Sequence, residues 1–274
     1  MQTMNILVTL DRGYLSPLRV MLFSLLESNP DAAFHLYVLH SSLTEEDLSM
    51  LASLADAGRW KVTGVEASDP RLEDAPTTDR YPKEMYYRIF AAKYLPQELD
   101  RVLYLDPDLI VNLPLEELYR TDMGNCLFAA ATHVQEAFRK LNELRLDMEE
   151  GGVYINSGVM LLNLPLLRQE QDYEEVFRYI DSHKKYLVLP DQDIISGLYA
   201  GRILELDPFR YNMTEKLFAL RVKSDAWHNL DWVRENSAII HYCGRNKPWK
   251  PGYLGKLNVF YDETLRRMAS AEEK

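Results

Sequence analysis

The chain has 274 residues, 47% of them apolar and 27% charged, so it can bury a full hydrophobic core and is neither disordered nor fibrous. Its net charge of −11 argues against a nucleic-acid partner, because binding to phosphates needs a basic face. Its two cysteines, Cys126 and Cys243, form no CxxC pair, which argues against a zinc-thiolate site and fits a reduced, cytoplasmic compartment.

The sequence gives no sign of a membrane-spanning segment. No apolar run approaches the ~20 residues that a span needs. The N-terminus begins like a strand and lacks the basic region and small-residue cleavage site of a signal peptide. The tail, 257–274, mixes acidic and basic side chains and is not a polybasic anchor. We therefore expect no transmembrane segment and at most peripheral contact with a membrane.

Strand-like and helix-like segments alternate from the N-terminus. Strands are predicted at Asn5–Thr9, Phe34–His40 and Trp60–Val65. A helix should follow the first strand, with Ser16 as its N-cap and Pro17 as its first residue. This βαβαβ start predicts an α/β fold with a Rossmann-like, mostly parallel central sheet flanked by helices.

A second helix is predicted between the second and third strands. Thr44 should cap it, with Asp47 three residues later as a variant of the capping box. Its apolar stripe includes Leu51 and Leu54, and Gly58 should end it.

The second half of the chain is less regular. A helix from Pro82 should carry Arg88 towards a strand at Val102–Leu105. The remaining predicted elements are strands at Cys126–Ala131, Val153–Leu162 and Ala238–Tyr242, and helices at Tyr173–Ser182, after Pro190 and at Val259–Met268. Because there is neither an internal repeat nor a low-complexity linker, we expect one continuous domain over 1–274, with 257–274 as a C-terminal helix and tail.

The motif Asp106-Pro107-Asp108 follows the buried strand at Val102–Leu105. In open α/β sheets ligands bind beyond the carboxyl ends of the strands, and paired carboxylates there suit Mg²⁺ or Mn²⁺. Pro107 restricts the backbone of Asp106 and so presets the geometry of the two carboxylates. The motif is also ordinary turn chemistry, and taken alone it leaves both interpretations open.

A second polar motif follows the late strand. His241 could supply a neutral imidazole to Mn²⁺, Gly244 lets a ligand approach the backbone, and Lys247 can neutralise phosphate. Each residue also has a structural explanation: a hydrogen-bonded histidine, a turn glycine and a solvated lysine.

Taken together, these motifs resemble the family 8 retaining glycosyltransferases, which include bacterial lipopolysaccharide galactosyl- and glucosyltransferases and, more distantly, glycogenin. The DxD and the late HxxGxxKPW carry the resemblance, and four further segments agree in order: ILVTLDRGY, SPLRVMLFSLL, MYYRI, and YINSGVMLLNL before LPDQDIIS. The resemblance covers about Met4 to Trp249. It implies a GT-A-type nucleotide-sugar-binding domain, a UDP-hexose donor, Mn²⁺ or Mg²⁺ as cofactor, and a glycan or glycolipid acceptor, as in lipopolysaccharide biosynthesis.

The resemblance also implies roles for particular residues. The implied metal ligands are Asp106, Asp108 and His241. The implied donor-binding residues are Thr9, Asp11 and Tyr14 for the uridine, Asp106, Pro107, Gly244 and Lys247 for the diphosphate, and Arg88, Asn156 and Ser157 for the sugar. Asp191 and Gln192 match the catalytic pair beside the anomeric carbon. Because an amide is a poor nucleophile, Gln192 favours front-face transfer within an ion pair over a covalent intermediate.

The sequence departs from the family pattern at His133, where an acidic residue is usual, and this leaves the choice between glucose and galactose open. Two other functions also remain open. A metal-dependent UDP-sugar hydrolase would turn the donor over without an acceptor, and a non-catalytic nucleotide-sugar-binding protein would bind it without turnover. The acceptor, the linkage position and the oligomeric state are not specified by the sequence.

Overall fold

The computed structural model describes residues 3–72, 75–77, 83–132, 136–224 and 229–273. The strands are β1 (Thr3–Thr9), β2 (Ala33–His40), β3 (Trp60–Glu66), β4 (Arg101–Leu105), β5 (Leu109–Val111), β6 (Phe128–Ala131), β7 (Val159–Asn163), β8 (Ile203–Leu206) and β9 (Ile239–His241). The helices are α1 (Leu15–Ser28), α2 (Glu45–Ala52), α3 (Glu84–Tyr87), α4 (Ala91–Tyr94), α5 (Glu116–Tyr119), α6 (Glu136–Arg145), α7 (Leu164–Glu170), α8 (Tyr173–His183), α9 (Pro190–Tyr199), α10 (Pro208–Tyr211), α11 (Glu215–Ser224), α12 (Leu230–Asn236) and α13 (Asn258–Glu272).

Seven strands form the central sheet in the order β3-β2-β1-β4-β7-β6-β8. The pairs β3–β2, β2–β1, β1–β4 and β6–β8 are parallel, whereas β7 runs antiparallel to β4 and β6. The prediction of a mostly parallel sheet flanked by helices is therefore confirmed. A separate two-stranded antiparallel sheet joins β5 to β9.

Strands β1, β2, β4, β6 and β7 are almost entirely buried on both faces, which explains why their sequences are largely apolar, whereas the edge strands β3 and β8 are partly exposed. Side chains alternate between the two faces of a strand. On β1, Ile6 and Val8 pack into one hydrophobic cluster, together with α1, while Leu7 packs into the other. On β4, Leu105 packs into the same cluster as Ile6 and Val8, and Tyr104 packs into the same cluster as Leu7. The carboxyl ends of β1 and β4 are thus fixed from both sides.

Two predicted helix boundaries are wrong. Helix α1 begins at Leu15 rather than at Pro17, because a 3₁₀ turn over Arg12–Tyr14 leads straight into it and Tyr14 takes the N-cap position. The capping box of α2 is confirmed: Asp47 N–H donates to Thr44 Oγ1 and Thr44 N–H donates to the Asp47 carboxylate. That helix, however, ends at Ala52, well before Gly58.

Two further predictions change in the second half. The predicted strand at Val153–Leu162 begins only at Val159, since the chain turns at Ser157-Gly158 before it enters the sheet. Helix α3 ends at Tyr87, so Arg88 follows the helix that was predicted to carry it, and Pro82 lies outside the described residues. Within the part of the chain that the structure describes, no helix is long and apolar enough to cross a membrane.

Candidate active site

A pocket of about 260 Å³ opens at the carboxyl ends of β1 and β4. Its walls come from both central strands, from the turns that flank β5 and β9, and from the first turn of α9. The lining residues are Thr9, Leu10, Asp11, Tyr14, Glu84, Met85, Arg88, Asp106, Pro107, Asp108, Asn156, Ser157, Leu189, Asp191, Gln192, His241, Cys243, Gly244 and Lys247. Every residue of the predicted site is among them. The structure therefore brings the set together, while the role of each residue stays a prediction.

The two carboxylates of the DxD motif meet the late histidine through the small sheet. Asp106 and Asp108 occupy the turn between β4 and β5, so the motif is a turn and a possible ligand set at once. Because β5 pairs with β9, Leu109 lies opposite His241. His241 Nε2 is 3.2 Å from Asp108 Oδ1 and 3.7 Å from Asp106 Oδ2.

This cluster fits a divalent cation. One ligand atom from each of Asp106, Asp108 and His241 lies within 4.8 Å of the others, and two carboxylates with an imidazole suit Mn²⁺. The cluster also needs the glycine beside it. A Cβ on Gly158 would lie 2.2 Å from His241 Cε1 and 2.7 Å from Asp106 Oδ2.

Lys247 provides the positive charge at one side of the cluster. Its ammonium donates to the Asp108 carboxylate and, at 3.0 Å, to the carbonyl of Tyr242. Burial opposes ionisation of Asp108, but His241 and Lys247 outweigh it and hold the Asp108 pKa well below its usual value. Burial likewise opposes charge on Lys247, yet Asp108 raises the Lys247 pKa overall. Both groups are therefore charged at neutral pH.

Arg88 joins the carboxylates of two different elements. Its Nη1 lies 3.0 Å from Asp106 Oδ1 and 3.1 Å from Asp191 Oδ2. The guanidinium also lies over the ring of Tyr104, whose hydroxyl donates to Asp106 Oδ1 at 2.6 Å. Burial raises the pKa of Asp191, although Arg88 and a hydrogen bond from Ser157 oppose that shift. Arg88 thus ties the DxD turn to the first turn of α9.

The start of α9 carries the predicted catalytic pair. Leu189 takes the N-cap position and Pro190 the first helical position, so Asp191 lies inside the first turn and is not itself the cap. Ser157 Oγ donates to Asp191 Oδ2 at 2.7 Å, and Asn156 Nδ2 donates to Gln192 Oε1 at 3.3 Å. These contacts hold the pair against the turn that precedes β7.

The residues predicted to bind uridine line the β1 side of the pocket. Thr9 Oγ1 lies 3.1 Å from the hydroxyl of Tyr104. Asp11 caps the 3₁₀ turn, since its carboxylate accepts from Gly13 N–H at 2.6 Å. The ring of Tyr14 meets Trp249 edge-on with the centroids 6.2 Å apart. Tyr14 is therefore held in place by aromatic packing.

Gly244 lies in a turn at the wall of the pocket, and its role beside a diphosphate stays a prediction. Its φ of +110° lies in the region that favours glycine, and a Cβ there would meet nothing within 4 Å. The glycine is required by the turn itself, and the surroundings are open.

Sequence reasoning missed several residues of the site. Glu84 and Met85 lie on α3 just before Arg88, and Leu189 and Cys243 lie within two residues of predicted ones, so proximity in sequence was the available signal. Asn212 is fully buried and contacts His241, yet nothing in its sequence neighbourhood points to the site. His133 lies outside the described residues.

Comparison with known proteins agrees with this geometry. The family model described as glycosyl transferase family 8 matches residues 5–251. The chain is 27% identical over 249 residues to a lipopolysaccharide 1,2-glucosyltransferase of Escherichia coli K12, covering 90% of this chain and 73% of that one. It is 26% identical over 254 residues to general stress protein A of Bacillus subtilis, covering 90% and 88%.

Solved structures share the fold. The galactosyltransferase LgtC, in complex with donor and acceptor sugar analogues, superposes with a TM-score of 0.82 at 24% identity, covering 95% of each chain. The glycosyltransferase GlyE of Streptococcus pneumoniae gives 0.72 at 20% identity, covering 97% of this chain and 61% of that one. The predicted GT-A-type fold is confirmed, and the chain belongs to glycosyl transferase family 8.

Proposed function

We propose that this glycosyltransferase moves a hexose from a UDP-sugar to a glycan acceptor with net retention of α-configuration, assisted by Mn²⁺ or Mg²⁺. The observation that carries the proposal is the position of Lys247. Its ammonium donates a hydrogen bond to Asp108, which together with Asp106 and His241 forms the cluster that fits a divalent cation. A diphosphate leaving group needs positive charge at this place.

Asp106, Asp108 and His241 would hold the metal, which would stabilise the negative charge that develops on the leaving diphosphate. Lys247 adds a second, fixed positive charge. Since the Lys247 pKa is raised, its ammonium stays protonated and can donate hydrogen bonds to phosphate oxygens. With both charges present, departure of the diphosphate needs little acid catalysis.

The contacts of Asp191 support front-face transfer. A double displacement would require a carboxylate free to attack the anomeric carbon. Asp191 is instead held by Arg88 at 3.1 Å and by Ser157 at 2.7 Å, and Gln192 is a neutral amide. On this proposal the leaving phosphate oxygen takes the acceptor's proton, the carbonyl of Gln192 shields the oxocarbenium-like carbon, and Asp191 holds a hydroxyl of the donor sugar.

The names of the relatives support a hexose donor and a bacterial glycolipid acceptor. Besides the lipopolysaccharide 1,2-glucosyltransferase described above, the chain is 24% identical to a lipopolysaccharide 1,3-galactosyltransferase of Salmonella typhimurium. We therefore propose glucose or galactose as the transferred sugar, lipopolysaccharide or a similar glycan as the acceptor, and the cytoplasm as the place of reaction.

The test is release of UDP from UDP-glucose and UDP-galactose with Mn²⁺ and after chelation, comparing wild type with Asp108→Asn. We expect metal-dependent release from one or both donors and its loss in the variant. Asp122→Asn is the matched control, because this exposed aspartate caps a turn at Gly124 away from the pocket. Absence of both UDP release and metal-dependent UDP binding would refute the proposal.

Dependence on the acceptor separates the alternatives. Release of UDP that is unaffected by any glycan acceptor would identify a UDP-sugar hydrolase. Metal-dependent UDP-sugar binding without release, over a screen of glycan acceptors, would identify a binding protein.

A further inference from the structure

We propose that Asn212 is a positioning residue that fixes the ring tautomer of His241 and, through Asn156, the orientation of the Gln192 amide. This inference rests on the proposed function, because it assigns His241 to the metal and Gln192 to the anomeric carbon. Asn212 itself does not line the pocket. It acts through the residues that do.

The backbone places Asn212 directly behind His241. Asn212 directly follows α10, and the next residue, Met213, pairs with β9: Met213 N–H donates to Ile239 O and His241 N–H donates to Met213 O. Asn212 is fully buried, and His241 is 2% exposed. The two side chains meet with His241 Nδ1 2.8 Å from Asn212 Oδ1.

Four side chains form a continuous row of hydrogen bonds across the floor of the pocket. His241 Nδ1 contacts Asn212 Oδ1, Asn212 Nδ2 lies 2.9 Å from Asn156 Oδ1, and Asn156 Nδ2 lies 3.3 Å from Gln192 Oε1. The row links the predicted metal ligand to the predicted catalytic amide. Every amide in it could in principle be rotated by half a turn, which would exchange its nitrogen and oxygen.

The backbone N–H of Gly158 determines which atom of each side chain in the row donates and which accepts. The N–H of Gly158, which can only donate, lies 3.2 Å from the side-chain oxygen of Asn156. Since this atom of Asn156 is an acceptor, the atom of Asn212 that faces it must be the NH₂ group. The oxygen of Asn212 then faces His241 and requires a proton on Nδ1.

The consequence for His241 is a fixed tautomer. With Nδ1 donating its proton to Asn212, Nε2 is the nitrogen that faces Asp106 and Asp108, and it is this atom that would give its lone pair to a cation bound between them. The opposite tautomer would place an N–H in the position of the cation. Asn212 thus selects the form of the imidazole that can bind metal.

The other end of the row orients Gln192. Because Asn156 donates from Nδ2, the Gln192 atom that faces it is Oε1, and the rest of the amide is left to hydrogen-bond with Tyr154. The same backbone N–H of Gly158 therefore determines both the tautomer of His241 and the direction of the Gln192 carbonyl.

The first experiment measures the ring tautomer of His241 in metal-free protein by long-range ¹H–¹⁵N correlation, with its signals identified by their loss in His241→Gln. We expect a proton on Nδ1 in wild type, whether or not Nε2 also carries one towards Asp108. Asn212→Leu, which fills the space without an acceptor, should give a mixture of tautomers. Asn212→Asp keeps an acceptor towards the ring but loses the donor to Asn156, so it should restore the proton on Nδ1 without restoring the contact that orients Gln192. A wild-type ring without a proton on Nδ1, or a ring unchanged in Asn212→Leu, would overturn the inference.

The second measurement is Mn²⁺ affinity in the absence of donor. Loss of such a supporting contact typically weakens metal binding by about 10–100-fold, and we expect this for Asn212→Leu but not for Asn212→Asp. Asn112→Leu is the matched control, because it removes an asparagine that holds the carbonyls of Arg234 and Ser237 outside the site. Equal Mn²⁺ affinity in wild type and Asn212→Leu would contradict the inference.

The two measurements separate this inference from the proposed function. If wild type binds no Mn²⁺ while its Nδ1–H tautomer still depends on Asn212, the proposed metal assistance fails and the positioning role stands. If wild type binds Mn²⁺ and the tautomer does not depend on Asn212, the positioning role fails and the proposed metal assistance stands.

Discussion

Gly158 lies directly against His241: a Cβ on the glycine would be 2.2 Å from Cε1 of the imidazole. Real side chains do not approach this closely, so the ring occupies the space that any other residue would need. The same Cβ would lie 2.7 Å from Asp106 Oδ2. The Asn-Ser-Gly segment therefore contributes a gap, as well as polar atoms, to the site.

Gly158→Ala should displace His241 and Asp106 together. Misplacement of reacting groups by about 1 Å can cost about 100-fold in rate, and we expect a loss of that order in UDP release, with weaker Mn²⁺ binding. Overpacking should cost about 1–3 kcal/mol of unfolding free energy. Gly58→Ala is the matched control, since a Cβ there meets nothing within 4 Å. Normal UDP release by Gly158→Ala would show that the imidazole and the carboxylate can move without consequence.

Lys247→Ala should weaken binding of UDP in the presence of Mn²⁺. The ammonium donates to Asp108 and Tyr242 and on the proposed function also contacts the diphosphate. A hydrogen bond to a charged group contributes about 1.5–3 kcal/mol, so we expect UDP affinity to fall about 10–100-fold by calorimetry. Lys250→Ala, on the exposed side of the same loop, should leave the affinity unchanged. An unchanged affinity in Lys247→Ala would make the loop assignment wrong.

The parts of the fold that were predictable are those with a local signal. A strand buried between two layers of helices has a continuous apolar sequence, and ligands bind beyond its carboxyl end. Both β4 and the DxD turn that follows it could therefore be predicted from the sequence. Strands as short as Leu109–Val111 give no such run. They form because β5 pairs with β9, far along the chain.

The contact between Asn212 and His241 was not predictable for a related reason. The two residues are 29 positions apart, and they meet because Met213 pairs with β9. Neither residue lies in a sequence pattern that predicts the other as its partner. This part of the site is formed by strand pairing between distant segments, which the sequence does not indicate. The predicted residues that line the pocket were identified from the family resemblance.

Arg145→Met should destabilise the protein strongly. Arg145 donates to both oxygens of Asp193 at 2.8 and 2.9 Å, and the Asp193 side chain is fully buried. Removing one partner of a buried pair leaves an uncompensated charge, which typically costs about 3–5 kcal/mol. Tyr154 also donates to Asp193 at 2.7 Å, so we expect the lower end of that range in urea unfolding.

The matched control for Arg145→Met is Arg120→Met. Arg120 pairs with Glu116 at 2.8 Å, but both side chains are more than half exposed, at 58% and 65%. Such pairs contribute at most about 1 kcal/mol. Equal losses in the two variants would show that burial of Asp193 does not set the cost.

Asp69→Asn should lower stability at neutral pH but not in acid. Hydrogen bonds from Arg71 are the main reason that the pKa of Asp69 falls to about 2, and Lys93 adds to them. The folded-state pKa is depressed, so the stabilisation is present above the unfolded value near 3.9 and is lost as the pH falls through about 2. We expect Asp69→Asn to cost about 1 kcal/mol at pH 7, because Arg71 is partly exposed.

Urea unfolding of wild type and Asp69→Asn at a series of pH values checks the sign. The difference between them should shrink between about pH 5 and pH 2, as the wild-type carboxylate takes up a proton. In an Arg71→Met background the same substitution should cost less at neutral pH, because Lys93 is then the remaining basic partner among those described. A difference that stays constant with pH, or that grows in acid, would mean that Asp69 stabilises the fold through its shape and not through its charge.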